Sequence, residues 1–516
     1  KLRSDARCEL VRKYVKLNPK FEPDEALSAL SSRAGKQRAA LLYLIEKGGA
    51  YLSELTAKFG AGASALIDKE LAVCEQVTVR RAPKISDGEN IVRHKLTDAQ
   101  KEAAEAVSNG SGTYVLFGVT GSGKTEVYQN IIESVVKNGK TAIMLVPEIS
   151  LTPQIFKLFR SRFSDGVAIL HSGLSEGERH DEWARLYSGE AKIAIGARSA
   201  VFAPLKNLGV IICDEEHDGS YISESNPRYD TRVIAEFRAK YNGAPLLLGS
   251  ATPEIDTFHK AQQGEYKLLT LPERFSKFDK KDIEIVDMGA EFRSGNRSVL
   301  SYALTDALSK TFSRGEQAML FLNRRGYASF LMCKQCGYIP RCEDCDINLT
   351  YHRAVARLKC HFCGKNYTVP QKCPKCGSPH IRLGRTGTEQ VVTLLKEKFP
   401  DIRVLRLDLD STGGKGAHSK ILDEFASGRA QALVGTQMLA KGHDFPNVTL
   451  VGILDVDFSL FYDDYRASER TFQLVTQVAG RAGRAEKEGR VLLQTFVPSH
   501  YVFRLAKSYD YKGFFE

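Results

Sequence analysis

The sequence predicts an α/β protein made of two parallel-sheet domains in tandem, with a small helical unit before them and a cysteine-rich insertion in the second. Three observations carry that expectation. Short apolar runs bounded by Gly and Pro alternate with helical stretches over 96–275 and again over 280–498. Runs spaced in this way indicate parallel strands covered by helices on both faces. Gly118–Thr125 reads GVTGSGKT between an apolar run and a helical one, the spacing and setting of a phosphate-cradling loop. Eight of the 11 cysteines lie between Cys333 and Cys376, in four C-x-x-C pairs. In a chain this long such pairs indicate bound metal in a reducing compartment rather than disulfides.

The chain has 516 residues, 43% hydrophobic and 26% charged. That balance belongs to a globular protein of three or four domains. Charged residues break every apolar run well short of the roughly 18 residues a spanning helix needs. Lys+Arg 73 against Asp+Glu 62 gives a net charge of +11, which suits a polyanionic partner but says nothing of fold. The first residues, KLRSDARCEL, hold neither an initiator Met nor an apolar signal core. A cytoplasmic location is therefore expected, and both ends read as internal to a longer chain.

Taken in order, residues 1–32 are charged and irregular and read as a linker. Residues 33–83 form a unit of their own. Leu41, Leu42, Leu44 and Ile45 mark a helix after Gly35, Ser53 caps a second helix through Phe59, 63–71 suit a third, and 77–79 read as a strand. Three helices and a β-wing resemble a winged helix. Its third helix, ASALIDKEL, balances one Lys against one Asp and one Glu and is a poor reader of phosphates. A structural or protein-contact role is expected, with recognition of DNA shape the alternative. In the first α/β domain (96–275) the strands are YVLF, TAIMLVP, VAIL, KIAIG, LGVIIC and PLLLGS. In the second (280–498) they are QAMLFLN, RVLRLDL, ALVG, VTLVGIL and RVLLQTF, interrupted by the cysteine module at 333–380. Residues 499–516 read as the start of a further, truncated domain.

The motifs with chemistry lie at the ends of these strands. In GVTGSGKT, the backbone around Gly118, Thr120, Gly121, Ser122 and Gly123 can wrap a phosphate while the following helix adds positive potential. Lys124 neutralises the β- and γ-phosphates and Thr125 coordinates magnesium, with Glu126 beside it as a further nucleotide-binding residue. LGVIICDEEH ends a buried strand in Asp214, placed to hold magnesium, and Glu215, placed to activate water. Acids at that place also favour helix starts. Gln100, 18 residues before Gly118, can offer its amide to adenine or simply open a helix. Ser250 and Thr252 in GSATPE can hydrogen-bond the acidic pair. Gln477, Arg481 and Arg484 lie in QVAGRAGR. The two arginines are three apart on one helical face, suited to reach a γ-phosphate or to form a solvated basic face. VGTQMLAKGHDFP, with Thr436, Lys441, Gly442 and Asp444, and FLNRRGY, with Arg324 and Arg325, each follow a strand and suit phosphate of nucleotide or DNA.

Together GVTGSGKT, LVPEISLTPQ, GARSAVFAP, DEEHDGSY, GSATPE, FLNRRGY, VGTQMLAKGHDFP and QVAGRAGR occur in the order of a superfamily 2 helicase. With the eight-cysteine insertion the chain resembles the primosomal protein N′ (PriA) family of replication-restart helicases over about residues 33–516. The resemblance implies two RecA-like lobes and ATP hydrolysis with magnesium. It implies 3′→5′ movement on single-stranded DNA, unwinding of forked DNA and reloading of the replicative helicase. It also implies single-stranded-DNA-binding protein and other primosome proteins as partners, and terminal domains that are not present in full here. A monomer is expected, with no membrane association. Arg198 and Ser199 of GARSAVFAP, and Tyr221, Arg228 and Tyr229 after the acidic motif, are expected to contact DNA, the aromatic groups by stacking. The family's Lys-Gln-Gln type segment is replaced by ISESNPRYD, where Glu224 is unfriendly to phosphate. Rival readings are a translocase that moves without unwinding, an RNA motor, and a zinc-dependent scaffold with a vestigial ATP site.

The cysteine pairs CKQC, CEDC, CHFC and CPKC are separated by five, fourteen and nine residues. Eight thiolates suit two tetrahedral zinc sites. The fourteen-residue spacer nearly matches the C-x2-C-x15–20-C-x2-C template. That groups Cys342, Cys345, Cys360 and Cys363 on one ion and leaves Cys333, Cys336, Cys373 and Cys376 for the other, the nested pairing that the resemblance also implies. Disulfides and an iron–sulfur cluster are the competing readings, and His352, His361 and His380 are spare donors. Four-thiolate sites leave no position open for water and are structural.

Overall fold

The computed structural model describes residues 10–79, 81, 95–119, 121–147, 153–272, 283–323, 330–352, 355–383, 387–408, 417–436, 439, 445–462, 464–483 and 488–516. Thr120, Arg324, Arg325, Lys441, Gly442, Asp444 and Arg484 lie outside the described residues.

The first unit is larger than the sequence suggests. Strand β1 (Val11–Leu17) is the centre of an antiparallel sheet, flanked by β2 (Ala50–Tyr51) and β3 (Ala72–Thr78), with Val15 opposite Cys74. Helices Pro23–Ser28, Gly35–Lys47, Leu52–Phe59 and Gly62–Asp68 pack around it, and Val15, Ala26 and Leu30 belong to the same buried cluster as Leu41, Leu55 and Leu66. Residues 10–32 are thus part of this core and not a linker. The second helix begins at Leu52, so Ser53 lies inside it rather than at its cap, which is Tyr51.

The first lobe holds β4 (Thr113–Gly118), β5 (Thr141–Leu145), β6 (Val167–Leu170), β7 (Ile193–Gly196), β8 (Leu208–Asp214), the hairpin β9 (Ile222–Ser223) and β10 (Tyr229–Asp230), β11 (Leu246–Ser250) and β12 (Lys267–Leu271). Its seven-stranded sheet runs β12-β4-β11-β8-β5-β7-β6, parallel at every pairing. β5, β6 and β7 are buried at every position, and so is β8 up to Asp214. One apolar cluster covers each face. A strand covered on both sides needs apolar residues at every position, which is why these runs are continuous rather than alternating.

The second lobe holds β13 (Ile283–Asp287), β14 (Gln317–Leu322), and, after the cysteine module with β15 (Leu331–Cys333), β16 (Thr350–His352), β17 (Arg357–Lys359), β18 (Asn366–Tyr367) and β19 (Ile381–Leu383), the strands β20 (Val404–Leu407), β21 (Ala432–Gly435), β22 (Val448–Leu454) and β23 (Arg490–Thr495). Its parallel sheet runs β13-β23-β22-β14-β21-β20. The module hangs on the β15-β19 pair.

Residues 499–516 fold against the lobes. Helices Tyr501–Lys507 and Tyr511–Phe515 bury Val502, Phe503, Ala506 and Tyr511 in the second lobe's core. Tyr511 also meets Phe117 and Phe258 of the first lobe, at ring separations of 5.5 and 5.2 Å. No described helix is long and apolar enough to cross a membrane.

Candidate nucleotide-driven motor site and zinc module

The phosphate loop leaves β4 and enters helix Lys124–Lys137. Gly121 and Gly123 have φ of +81° and +77°, a conformation that costs glycine nothing and strains other residues. Gly123 caps the helix with no side chain, so the orphan N–H groups of its first turn face outward, as an anion requires. A methyl at Gly118 would stand 2.7 Å from Ser122 Oγ, and that hydroxyl is buried with no hydrogen-bond partner among the described residues. An unsatisfied buried hydroxyl in a glycine cradle fits a phosphate-bearing ligand. Lys124 Nζ donates to the Gly118 carbonyl at 2.8 Å.

Gln100 is buried. Its amide oxygen accepts from Thr97 N at 2.9 Å in a capping box, and its Nε2 donates to the Ser122 carbonyl at 2.8 Å. Both ends of the amide are therefore engaged within the protein, bracing the loop. Glu126 faces Arg162, which also pairs with Glu133.

The acids sit where β8 ends. Tyr128 Oη donates to Asp214 Oδ1 at 3.0 Å, and Tyr221 Oη donates to the Asp214 carbonyl at 2.6 Å. Burial, then the neighbouring Glu215 charge, pushes the Asp214 carboxyl up to about 6, against the pull of Lys124. Tyr128 reaches Asp214 over Gly249, where a methyl would lie 1.8 Å from the tyrosine oxygen. Tyr128 was not singled out from the sequence; its only signal is its place one turn after Lys124. Ser250 bonds His217 Nδ1 at 2.7 Å and accepts from Thr252 N, so the described bonds of Ser250 run to the histidine of the acidic motif rather than to Asp214 or Glu215.

Glu216, the third acid, is fully buried. It accepts from Glu254 N and Thr257 Oγ1 and lies 3.5 Å from Arg232. Burial pushes it up to about 7. Arg232 also pairs with Asp230 and Glu254, each at 2.6 Å. From the second lobe, Arg466 reaches Glu254 at 3.2 Å and Asp256 at 2.6 Å, Glu469 accepts from Ile255 N at 2.8 Å, and Gln473 Nε2 donates to the Thr252 carbonyl. The helix Ala467–Ala479 thus grips the GSATPE loop with its first half and leads at its far end past Gln477 to Arg481.

The DNA candidates divide. Tyr221 is completely buried, so the expectation that it stacks on bases is corrected: its ring is core and its hydroxyl steadies the end of β8. Arg228 and Ser199 are exposed, Arg198, Tyr229 and Thr436 half-buried. Tyr229 meets Phe202 edge-on at 5.4 Å, and Arg198 donates to the Ile222 carbonyl. Phe202, 46% exposed, adds an aromatic face beside Tyr229 that the motif GARSAVFAP does not by itself mark.

The eight cysteines form two groups, Cys333, Cys336, Cys373 and Cys376, and Cys342, Cys345, Cys360 and Cys363, each with all sulfurs within 4.8 Å of one another. The nested grouping is the one formed. Neighbouring sulfurs stand 3.6 to 3.7 Å apart, far beyond a disulfide and close to the roughly 3.8 Å edge of a tetrahedron with 2.3 Å zinc–sulfur bonds. The donor set and spacing fit one zinc ion in each group. Each knuckle closes with an N–H donating to the carbonyl of its first cysteine, from Gly337, Asp346, Gly364 and Gly377. All four have φ between +52° and +80°, and Asp346 fills the one position without glycine, which Asp tolerates. Tyr367 Oη approaches Cys342 Sγ at 3.2 Å. His352 and His361 stack on each other, and His380 meets Phe292 edge-on.

A glycine phosphate cradle, strand-end acids and a second α/β lobe gripping the first define the two-lobed helicase class. Accordingly, residues 97–261 match the DEAD/DEAH box helicase model and 383–486 the helicase conserved C-terminal domain. Residues 342–366 match the PriA DNA helicase Cys-rich region domain. The chain belongs to the replication restart protein PriA family. It is 47% identical to the Bacillus subtilis replication restart protein PriA over 98% of this chain and 65% of that protein. Against the Rickettsia conorii protein of the same name the figures are 36%, 90% and 70%. The Synechocystis relative is 42% identical over 96% of this chain and 60% of its own length. The chain thus spans less than two thirds of the Bacillus and Synechocystis relatives.

Proposed function

We propose that this chain is the ATP-driven motor of a replication-restart DNA helicase that moves 3′→5′ on single-stranded DNA and opens forked DNA. The observation that carries the reading is the meeting of Lys124, Asp214 and the GSATPE loop at the carboxyl ends of one sheet, with the second lobe's helix Ala467–Ala479 holding that loop. When bound, ATP with magnesium supplies the phosphoanhydride whose cleavage drives closure and opening. Gly118, Thr120, Gly121, Ser122 and Gly123 cradle the phosphates, with Glu126 keyed to Arg162 behind them. Lys124 neutralises the phosphates, Thr125 and Asp214 hold magnesium, and Glu215 takes the proton of the attacking water. Gly442, Asp444, Gln477, Arg481 and Arg484 complete the site from the second lobe, the arginines responding to the γ-phosphate. Arg198, Ser199, Arg228 and Tyr229 of the first lobe and Arg324, Arg325, Thr436 and Lys441 of the second are the DNA-contacting residues. Phosphate contacts make binding salt-dependent and tolerant of sequence.

The two zinc ions stabilise the insertion. The N-terminal unit is a winged helix in a contact role. The chain acts as a cytoplasmic monomer, with single-stranded-DNA-binding protein and other primosome proteins as partners. Phosphate release with single-stranded DNA tests the reading. Lys124→Ala loses at least about a hundredfold in turnover while DNA affinity stays unchanged, and normal turnover in that variant refutes the site. Strand separation on forked DNA, with RNA as the comparison cofactor, tests the motor's track.

A further inference from the structure

A cavity of about 410 Å³ opens at the seam between the second lobe and the zinc module, lined among others by Phe292, Arg297, Lys334, His380, Asp455 and Phe496. It lies at the carboxyl ends of β13, β23 and β22, the side of an open parallel sheet where ligands bind. One wall is a prepared stacking platform. The Arg297 guanidinium lies 3.6 Å above the centre of the Phe292 ring and donates to the Phe292 carbonyl, while His380 packs edge-on at 5.0 Å. The other wall is Phe496, with the Lys334 ammonium 4.5 Å from its ring centre. Lys334 belongs to the first cysteine knuckle and its N–H donates to the His380 carbonyl. Its ammonium makes no salt bridge among the described residues; Asp455 and Asp457 act on it only at longer range. Asp457 is committed to Thr495 Oγ1 and Phe496 N.

We propose that this cavity takes one unpaired nucleobase of the DNA, an inference that rests on DNA being the motor's track. A flat heteroaromatic ring matches walls of guanidinium and phenyl, and the lysine supplies a donor to a ring nitrogen or carbonyl. Among the described residues two cations are offset here by two carboxylates, and no glycine-rich loop lines the cavity. Both features disfavour a free polyphosphate and favour a neutral base whose phosphates stay outside. The mouth is also in the right place. β22 pairs with β14, whose end at Leu322 and Asn323 is the described start of FLNRRGY, so DNA crossing the end of β14 passes one strand-width away.

The test uses the whole chain with oligo-dT carrying 5-iodouracil at successive positions. Irradiation is expected to attach the base to Phe292, Phe496 or His380 at one register, mapped by mass spectrometry. A single abasic site at that register weakens binding about tenfold, the size of one base stack. In Arg297→Ala and Lys334→Met that penalty vanishes while the DNA-free ATPase rate is unchanged. Crosslinks confined to the first lobe, or an abasic penalty that persists in both variants, overturn the proposal. So does protection of the cavity by a tryptophan-bearing peptide but not by the oligonucleotide. ATPase measured in the same samples separates the two levels: DNA-stimulated turnover without a crosslink sinks only the base pocket, and turnover indifferent to DNA sinks the motor reading beneath it.

Discussion

Both lobes end a central apolar strand in acids, and both turn the chain there through the left-handed region. In the first lobe β8 closes on Asp214, with Glu215 at φ +45°; in the second β22 is followed by Asp455 at φ +52° and Asp457. Burial raises Asp214 and Asp457 alike to about 6. What differs is the company. Asp214 faces a lysine carried on a glycine loop, and a tyrosine hydroxyl reaches it across a glycine. Asp457 spends both oxygens on Thr495 and on the backbone of Phe496. A perturbed carboxyl at a strand end therefore does not by itself mark chemistry, since burial alone produces it. The phosphate cradle opposite does.

The largest expected effect breaks that comparison directly. Asp214→Asn should cost at least about a hundredfold in ATPase turnover, because an amide holds magnesium poorly. Asp457→Asn should leave turnover close to wild type and change stability instead. The pH dependence sharpens the point. Asp214 loses its ionised form as pH falls through about 6, so turnover should fall below that pH, and raised magnesium should move the midpoint lower. For Asp457 burial raises the folded carboxyl to about 6 against an ordinary 3.8. Between those values the folded state keeps a proton that the unfolded state has lost, so stability declines as pH rises and levels off above about 6. Thermal melts of Asp457→Asn should lack that slope.

Next in size is removal of metal. A chelator strong enough to strip both ions should disorder residues 333–376, seen as faster amide exchange there, because small modules with little core take their folding energy from zinc. Nucleotide binding in the first lobe should survive. Loss of all ATP affinity on stripping would show that the module and the motor fold as one unit.

The sequence exposes the cradle, the acids and the cysteine frame because each is a spacing fixed by a small ligand. It hides what tertiary packing decides. Strand β1, VRKYVKL, buries only Val15 fully and pairs with β3 across nearly sixty residues of chain, so its charge makes it read as a linker. Tyr221 looks like a stacking ring in an aromatic loop, yet Thr231 Oγ1 donates to its carbonyl, the neighbouring helix buries it, and its hydroxyl goes to β8. Asp346 replaces a glycine in the second knuckle, which residue type alone does not announce. The ion pairs of Arg466 with Glu254 and Asp256 join residues more than two hundred positions apart, with no local pattern to betray them.

Those ion pairs give a smaller, more discriminating test. Arg466→Glu should lower DNA-stimulated turnover by several-fold, within the usual range for coupling between sites, and leave the DNA-free rate alone. Pairing it with Glu254→Arg should recover part of the loss. If the single and double variants match, the contact is packing and not coupling.

The smallest effect concerns the tyrosine over Asp214. Tyr128→Phe removes one hydroxyl donor from a carboxyl that also feels Lys124. Losing that bond removes a stabiliser of the charged form, so the carboxyl should ionise at a slightly higher pH and half-saturation by magnesium should rise by a few-fold, with turnover at saturating metal near wild type. Gly249→Ala supplies the check, because its methyl would fall 1.8 Å from the Tyr128 oxygen and should push the ring away from Asp214 at a cost in stability. In the Gly249→Ala, Tyr128→Phe double variant the oxygen that clashes is gone. The ring carbon 2.9 Å from the methyl remains, so melting temperature should recover in part while the magnesium requirement stays raised. Recovery of both together would mean that the hydroxyl acts only by filling space.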